Sequence, residues 1–155
     1  MIISVLTDNP NRAAAEVKNA VNKSSKGNAK MAESGSVTYL YERKGRLEFP
    51  AGVIDEEKVL DVACEVGVDD FEFLAGECGA EGEDVDIVYT EISDLALLRD
   101  GLKEHGGAES NDASLVYKSM APVECSEQDF EHNMRVIEAL EDLEDVDKVE
   151  HNMSN

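Results

Sequence analysis

The chain has 155 residues, of which 42% are hydrophobic and only 5% aromatic, and its formal net charge is -21 at pH 7. This length allows one domain or two small ones with a buried core, and no apolar stretch approaches the roughly 18 residues of a membrane span. Cys64, Cys78 and Cys125 show no CxxC spacing, which argues against a disulfide framework or a zinc site. Because the strand-like run Ile2–Leu6 follows the first methionine directly, without a charged leader, we expect a cytosolic or organelle-matrix protein.

The first predicted segment runs from a strand through a polar turn into an amphipathic helix. The strand is expected at Ile2–Leu6 and the helix at about 11–23, with Pro10 in the first helical turn, where its missing N–H is not needed. The predicted capping residues are Asp8, Asn9 and Asn11. The predicted buried stripe, with apolar residues three or four apart, consists of Ala14, Val17, Ala20 and Val21.

After this helix the chain is expected to return as a second strand and then to reverse direction. The strand is predicted at 36–41, where Tyr39 and Tyr41 share one face. We expect both tyrosines to pack beneath the helix, and base stacking is the alternative. Residues 42–46 predict a basic hairpin turn that leads into a strand at 47–49.

Two further segments repeat the pattern of strand, helix and strand. The predicted elements are a helix at 56–66, strands at 71–74 and 85–89, a helix at 94–105 capped by Ser93, and strands at 114–117 and 122–124. Ser126 with Asp129 predicts a capping box at the start of the last helix, and the last strand is expected at about 148–152.

Helices that alternate with strands through short connections predict an α+β fold of two ferredoxin-like sandwich domains, each of the split βαβ kind. Residues 1–51 supply only one helix, whereas residues 52–120 can form a closed unit. The third segment is therefore expected to return and complete the first. This predicts a discontinuous domain, 1–51 plus 121–155, into which a second domain, 52–120, is inserted.

Basic residues are concentrated in the first third of the chain. Residues 1–47 hold eight basic groups against four acidic ones, a balance of +4, so the remainder carries the whole negative excess. This asymmetry predicts a basic contact surface for nucleic acid on a self-repelling acidic body, with ordinary scatter of surface lysine as the alternative. The candidate residues for binding ribosome or nucleic acid are Arg12, Lys18, Lys23, Lys26, Lys30, Arg43, Lys44 and Arg46.

The sequence offers few candidates for catalysis or metal binding. The three histidines, His105, His132 and His151, lie at a helix end, in a polar helix and near the terminus, where surface or capping roles are expected. The acidic run at 138–147 lacks the alternating ligands and central glycine of a calcium loop. We therefore expect no catalytic residue, no metal, no cofactor and no small-molecule substrate.

Two motifs carry a resemblance to a known family. The segment Leu6–Arg12, followed by Gly35–Val37, and the closing segment Ile137–Asn152 are similar to the YebC/PmpR family, which includes the mitochondrial translational activator of cytochrome c oxidase subunit I. The family ends in a helix followed by LEDxDDVxxVxxN, and Glu144-Asp145 stand close to its paired acids. The order and spacing of these motifs cover almost the whole chain.

The resemblance implies a three-domain protein whose second domain is interrupted by the third, and it implies no catalysis. Bacterial members are described as transcriptional regulators that bind DNA, and other members as translation factors that act on the ribosome and relieve stalled peptide synthesis. We expect a ribosome-associated translation factor, with ribosomal RNA or DNA contacted through the basic 12–46 region. The alternatives are a DNA-binding transcriptional regulator and a protein-interaction subunit of a larger assembly.

Family members begin with a basic helical domain that contains a motif like GHSKWANIKHRK, and nothing in this sequence matches it. We therefore expect the family's first domain to be absent. The chain is then either a shortened paralogue or a partial version of a longer protein, and direct nucleic-acid binding depends on the basic 12–46 region.

Overall fold

The computed structural model describes residues 1–78 and 83–154. Within these residues the elements are, in chain order, β1 (Ile2–Val5), α1 (Pro10–Ser24), a 3-10 helix (Thr38–Leu40), β2 (Tyr41–Pro50), α2 (Glu56–Val66), β3 (Phe71–Cys78), β4 (Asp84–Thr90), α3 (Leu95–Glu104), β5 (Asp112–Ser119), β6 (Val123–Glu124), α4 (Glu127–Glu141), β7 (Val146–Glu150) and β8 (Met153–Ser154). No helix in the described ranges is both long and apolar enough to cross a membrane. The mixture of four helices with largely antiparallel sheets confirms the predicted α+β class.

The chain divides into two compact units. We call Arg43–Val116 the inserted unit, and Met1–Glu42 with Tyr117–Asn155 the discontinuous unit. The predicted boundary placed residues 43–51 with the discontinuous domain, but β2 pairs with β4 from Gly45 to Pro50 and so supplies a strand of the inserted unit. The boundaries of the compact units therefore lie several residues away from the expected ones.

The inserted unit has the ferredoxin-like topology. Its sheet has the order β3-β4-β2-β5, and β4 pairs antiparallel with both β2 and β3. The buried core contains Leu47, Phe49, Ile54, Val59, Val62, Ala63, Val68, Val88, Leu98, Leu102 and Ala108. Alternate strand residues and one stripe of each helix supply this core, as the period-2 and period-3.6 patterns require.

The discontinuous unit packs two helices against a short sheet. α1 packs on α4, and β1 pairs antiparallel with β7 so that Ile3 faces Val149. β6 and β8 form a second, parallel pair in which Val123 faces Met153. The core contains Val17, Val21, Val136, Ile137, Leu140 and Val149. The two ends of the sequence thus bury a common core.

Most predicted elements are present, and the helix expected at 56–66 has those bounds. The capping box of α4 is also confirmed, because Ser126 Oγ accepts a hydrogen bond from the Asp129 backbone N–H at 3.2 Å. In α1 the buried stripe is Ala13, Val17 and Val21, whereas Ala14 is exposed. The stripe was therefore wrong by one residue at its start.

The strand predicted at 36–41 and the hairpin predicted at 42–46 are wrong. Residues 33–40 form consecutive turns that end in the 3-10 helix, and β2 then runs without interruption from Tyr41 to Pro50. Gly45, which indicated a turn, lies in this strand beneath α3. A Cβ atom there would lie only 2.9 Å from Leu95 Cβ, so the glycine permits a close approach of helix and strand.

Candidate nucleic-acid interface

Four of the predicted contact residues, Lys18, Lys23, Lys26 and Lys30, are exposed in the discontinuous unit, and we call them the lysine surface. Lys18 and Lys23 belong to α1, and Lys26 and Lys30 lie in the connection that follows it. Across residues 1–78 and 83–154, none of the four ammonium groups forms an ion pair with a carboxylate. Their positive charges are therefore available to a partner.

The packing of α1 explains this exposure. Its buried stripe faces α4, so Lys18 and Lys23 fall on the solvent side. Lys23 also lies in the last turn, where a cation interacts favourably with the helix dipole. After α1, Lys26 and Gly27 both adopt positive φ values, 52° and 83°, and the Gly27 N–H donates to the Asn22 carbonyl at 3.1 Å. This left-handed turn ends the helix and directs the chain into the Lys30 connection.

Lys44 and Arg46, which were also predicted as contact residues, form ion pairs within the inserted unit. Their side chains on β2 are only 13% and 18% exposed. Lys44 Nζ contacts the carboxylates of Glu91 and Asp70, and Arg46 lies 2.6 Å from Glu48. Continuous strand pairing, in place of the expected hairpin turn, brings these acids alongside the basic groups. The neighbouring Arg43 is exposed at the start of the inserted unit.

Arg12 is also engaged within the protein. Its guanidinium Nη2 lies 3.1 Å from Asp8 and 3.0 Å from Asp145, and Thr7 Oγ1 donates to the same Asp145 carboxylate at 2.9 Å. The hydrogen bond from Arg12, followed by that from Thr7, lowers the pKa of Asp145 below its usual value. The same pairing with Asp145 raises the pKa of Arg12. The charge of Arg12 is therefore balanced by acidic residues of the same unit and is not free for a partner.

An open cleft of about 810 Å³ surrounds this ion pair. It is lined by Leu6, Thr7, Asp8, Arg12, Glu16, Glu144 and Asp145. Four acidic residues against one basic residue make the cleft unsuitable for phosphate. The two segments that carry the family resemblance meet here, a contact that neither motif predicts by itself. The signal that could have found the contact is the presence of Arg12 in one motif and Asp145 in the other.

Capping of α1 is due to Asn9 rather than to three residues. Asn9 Oδ1 accepts a hydrogen bond from the Arg12 backbone N–H at 3.2 Å, and the Asn9 N–H donates to Thr7 Oγ1 at 3.1 Å. Asp8 pairs with the Arg12 side chain, and Asn11 already lies inside the helix. The capping expectation is therefore corrected for Asp8 and Asn11, since only Asn9 occupies the N-cap position.

The two tyrosines of the predicted 36–41 strand have different environments. Tyr41 is buried, as expected, and burial raises the pKa of its hydroxyl, with a further contribution from Glu150. Tyr39 is 73% exposed, so the expectation that it packs beneath the helix is wrong. It lies in the 3-10 helix, where the alternation of a strand does not hold.

Metal-ligating side chains do not converge in the part of the chain that the structure describes. There, no group of three or more His, Cys, Asp or Glu side chains is arranged to hold a metal ion. His132 and His151 each bury one ring nitrogen without a hydrogen-bond partner. Burial lowers the pKa of His151, and the nearby amino terminus lowers it further.

Comparison with known proteins identifies the family. The family model described as "TACO1/YebC second and third domain" matches residues 1–153. A probable transcriptional regulatory protein of Chlamydia pneumoniae is 37% identical over 154 residues, which cover 99% of this chain and 60% of that protein. A protein of the same description from Bifidobacterium longum subsp. infantis is 36% identical over 98% of this chain and 56% of its own length.

The fold has a solved counterpart. The crystal structure of a conserved hypothetical protein from Aquifex aeolicus matches with a TM-score of 0.77 and 32% sequence identity, over 98% of this chain and 58% of that one. The chain thus spans less than two thirds of the length of these relatives. The family match over almost the whole sequence confirms the resemblance drawn from the two motifs, and the chain belongs to the TACO1/YebC family.

Proposed function

We propose that this protein is a non-enzymatic regulator of gene expression that binds RNA on the ribosome through the lysine surface. The observation that carries the proposal is that Lys18, Lys23, Lys26 and Lys30 are exposed and form no ion pair within the described residues. In a chain with 35 acidic and 14 basic groups, residues 18–30 hold four lysines and no acidic residue, which is a marked local separation of charge.

Lysine side chains without an acidic partner can bind the phosphates of a nucleic-acid backbone. Binding to a nucleic-acid backbone is driven by the release of condensed counterions when Lys or Arg neutralises phosphates. An ammonium group already paired with a carboxylate contributes little to this term, because its charge is balanced. The four free groups can each neutralise one phosphate, whereas Lys44, Arg46 and Arg12 would first have to leave their carboxylates.

The acidic residues of the inserted unit favour a partner made of both RNA and protein over a long duplex of nucleic acid alone. Residues 43–116 hold 20 of the 35 acidic groups and 6 of the 14 basic groups, so this segment repels phosphate. A ribosome presents RNA phosphates beside basic protein surfaces and can therefore complement both parts of the chain. The proposal places the protein in a ribosome-containing compartment, either a bacterial cytoplasm or an organelle matrix.

Sedimentation of the tagged chain through a sucrose gradient tests the proposal. We expect the wild-type chain to migrate with ribosomal particles, and the variant with Lys18, Lys23, Lys26 and Lys30 changed to Glu to stay at the top. A matched control changes Lys58, Arg99, Lys103 and Arg135 to Glu, which alters the net charge by the same amount and leaves the four lysines of the lysine surface in place. Wild-type chain at the top of the gradient, or equal loss in both variants, would contradict the proposal.

A DNA-binding transcriptional regulator is the second candidate. The names of the Chlamydia and Bifidobacterium relatives, "probable transcriptional regulatory protein", favour it. The lysine surface would then contact duplex phosphates, and sequence specificity would have to come from base contacts in a groove. A sequence-specific footprint on genomic DNA, together with no ribosome association, would replace the first candidate by this one.

A further inference from the structure

We propose that Tyr39 is a stacking platform for an unpaired base of single-stranded RNA, a specificity element in the same compact unit as the lysine surface. All eight phenylalanines and tyrosines of the chain lie in the described ranges, and among them only Tyr39 is largely exposed. A single exposed aromatic ring is ordinary on a protein surface. Its location in the unit that carries the four free lysines gives it a function, and the inference therefore rests on the proposed function.

The backbone on both sides of Tyr39 is fixed. Thr38 Oγ1 donates to the Gly35 carbonyl at 2.8 Å, which closes the turn before the ring. On the other side, the Met120 N–H donates to the Leu40 carbonyl at 3.0 Å and ties the 3-10 helix to the chain beyond β5. The ring therefore projects from an anchored turn. Such preorganisation reduces the entropy that a bound base would otherwise cost.

The Tyr39 side chain is also available. Among the described residues, its hydroxyl has no hydrogen-bond partner, and 73% of the residue is open to solvent. Every base has a flat π face, so stacking on a tyrosine tolerates any sequence. In a duplex the base faces are already covered by their neighbours. The ring should therefore select single strands, which the ammonium groups alone would not do.

The distance between Lys30 and Tyr39 is short enough for one RNA strand to contact both residues. Tyr39 lies nine positions after Lys30, which limits the distance between their Cα atoms to about 30 Å at roughly 3.3 Å per residue. Three turns, closed at Ser36, Thr38 and Leu40, shorten this path. Single-strand binding sites on small domains cover about 4–16 nucleotides, which is enough to contact lysine and ring together.

Fluorescence anisotropy with a labelled oligouridylate of about 12 nucleotides, and with an RNA duplex of the same length, tests the inference. The variants are Tyr39→Ala, Tyr39→Leu and Tyr39→Phe, with Met120→Ala as the matched control because Met120 is another exposed apolar residue, at 59%. We expect the Ala and Leu variants to bind the single strand about 5- to 150-fold more weakly. The Phe variant and the control should bind like wild type, and no variant should change duplex binding.

The outcomes separate this inference from the proposed function. If Tyr39→Ala binds the single strand like wild type, or loses duplex binding equally, the stacking platform is refuted while the lysine surface stands. Equal losses in Tyr39→Ala and Met120→Ala would also refute it, because the contact would then be merely apolar. If Lys26→Glu with Lys30→Glu leaves all binding unchanged, the proposed function itself fails. Unchanged thermal unfolding of each variant verifies that the fold is intact.

Discussion

The guanidinium of Arg12 lies 3.0 Å from a carboxylate oxygen of Asp145, across 133 positions of the sequence. The contact joins the first turn of α1 to the turn between α4 and β7, while the Leu6 N–H donates to the Asp145 carbonyl at 2.9 Å. The ends of the chain therefore meet through both a side-chain and a backbone contact. Because the same residues belong to the two family motifs, this junction gives the motifs a structural role.

Arg12 and Asp145 should be energetically coupled. Arg12→Gln and Asp145→Asn should each lower the melting temperature, and the double variant should lower it by less than the sum, because one interaction is lost in all three. Thermal unfolding followed by circular dichroism measures this. Arg135→Gln is the control, since its exposed pair with Glu131, at 3.8 Å, contributes little. Strictly additive effects of Arg12 and Asp145 would contradict the coupling.

Removing His151 should flatten the pH dependence of stability on the mildly acidic side. Burial lowers the pKa of His151 in the folded state below the usual 6.5, so the unfolded chain takes up a proton first as the pH falls. The free energy of unfolding should therefore decrease below about pH 6.5, a loss that ends once the pH passes the folded-state pKa. Urea unfolding between about pH 7 and 5 should show a smaller decrease for His151→Gln than for wild type.

Gly45→Ala should destabilise the inserted unit by about 1–3 kcal/mol through overpacking. The new Cβ would lie 2.9 Å from both Cβ and Cδ1 of Leu95, so α3 would have to move away from the sheet. Chemical denaturation gives the change in unfolding free energy. Gly45→Ala should cost less in a Leu95→Ala background than in the wild type, because Cδ1 is absent there. A neutral or stabilising Gly45→Ala would show that α3 can shift without cost.

Gly45 also shows where sequence reasoning succeeds and where it fails. The amphipathic periods of α2 and α4 and the Ser126 cap are local, so the sequence alone predicts them. The conformation at Gly45 depends on Leu95, fifty residues later, and a turn signal cannot be distinguished from a close approach without that partner. The neutralisation of Lys44 by Glu91 is equally non-local. Four of the eight predicted basic contacts, Lys18, Lys23, Lys26 and Lys30, are exposed and without an ion pair in the described ranges.

Asn9→Ala should cost about 1 kcal/mol of stability without weakening RNA binding. The substitution removes the side-chain oxygen that accepts from the Arg12 backbone N–H, and it does not touch the lysine surface. Asn9→Asp and Asn9→Ser, which both retain a capping oxygen, serve as controls and should stay near wild-type stability. Large loss of RNA binding in Asn9→Ala, at unchanged stability, would assign Asn9 to the partner contact instead.

The affinity of the chain for RNA should depend steeply on salt, with a slope set by the lysine surface. Neutralising one phosphate of a single strand contributes about 0.7 to the slope of log K against log salt, so four lysines predict a slope near -3. Each Lys→Gln substitution within the set should reduce the slope by about 0.7, and the fourfold variant should approach zero. At about 150 mM salt the Debye length is near 8 Å, so the distant acidic residues are largely screened but the few phosphate contacts are also weakened.

We therefore expect the 155-residue chain to bind naked single-stranded RNA no better than micromolar at about 150 mM salt. Anisotropy titrations across a salt series measure both affinity and slope. Lys58→Gln is the control, because this lysine lies on α2 in the inserted unit and should leave the slope unchanged. Nanomolar binding near physiological salt, or a slope that persists in the fourfold variant, would require phosphate contacts elsewhere on the chain.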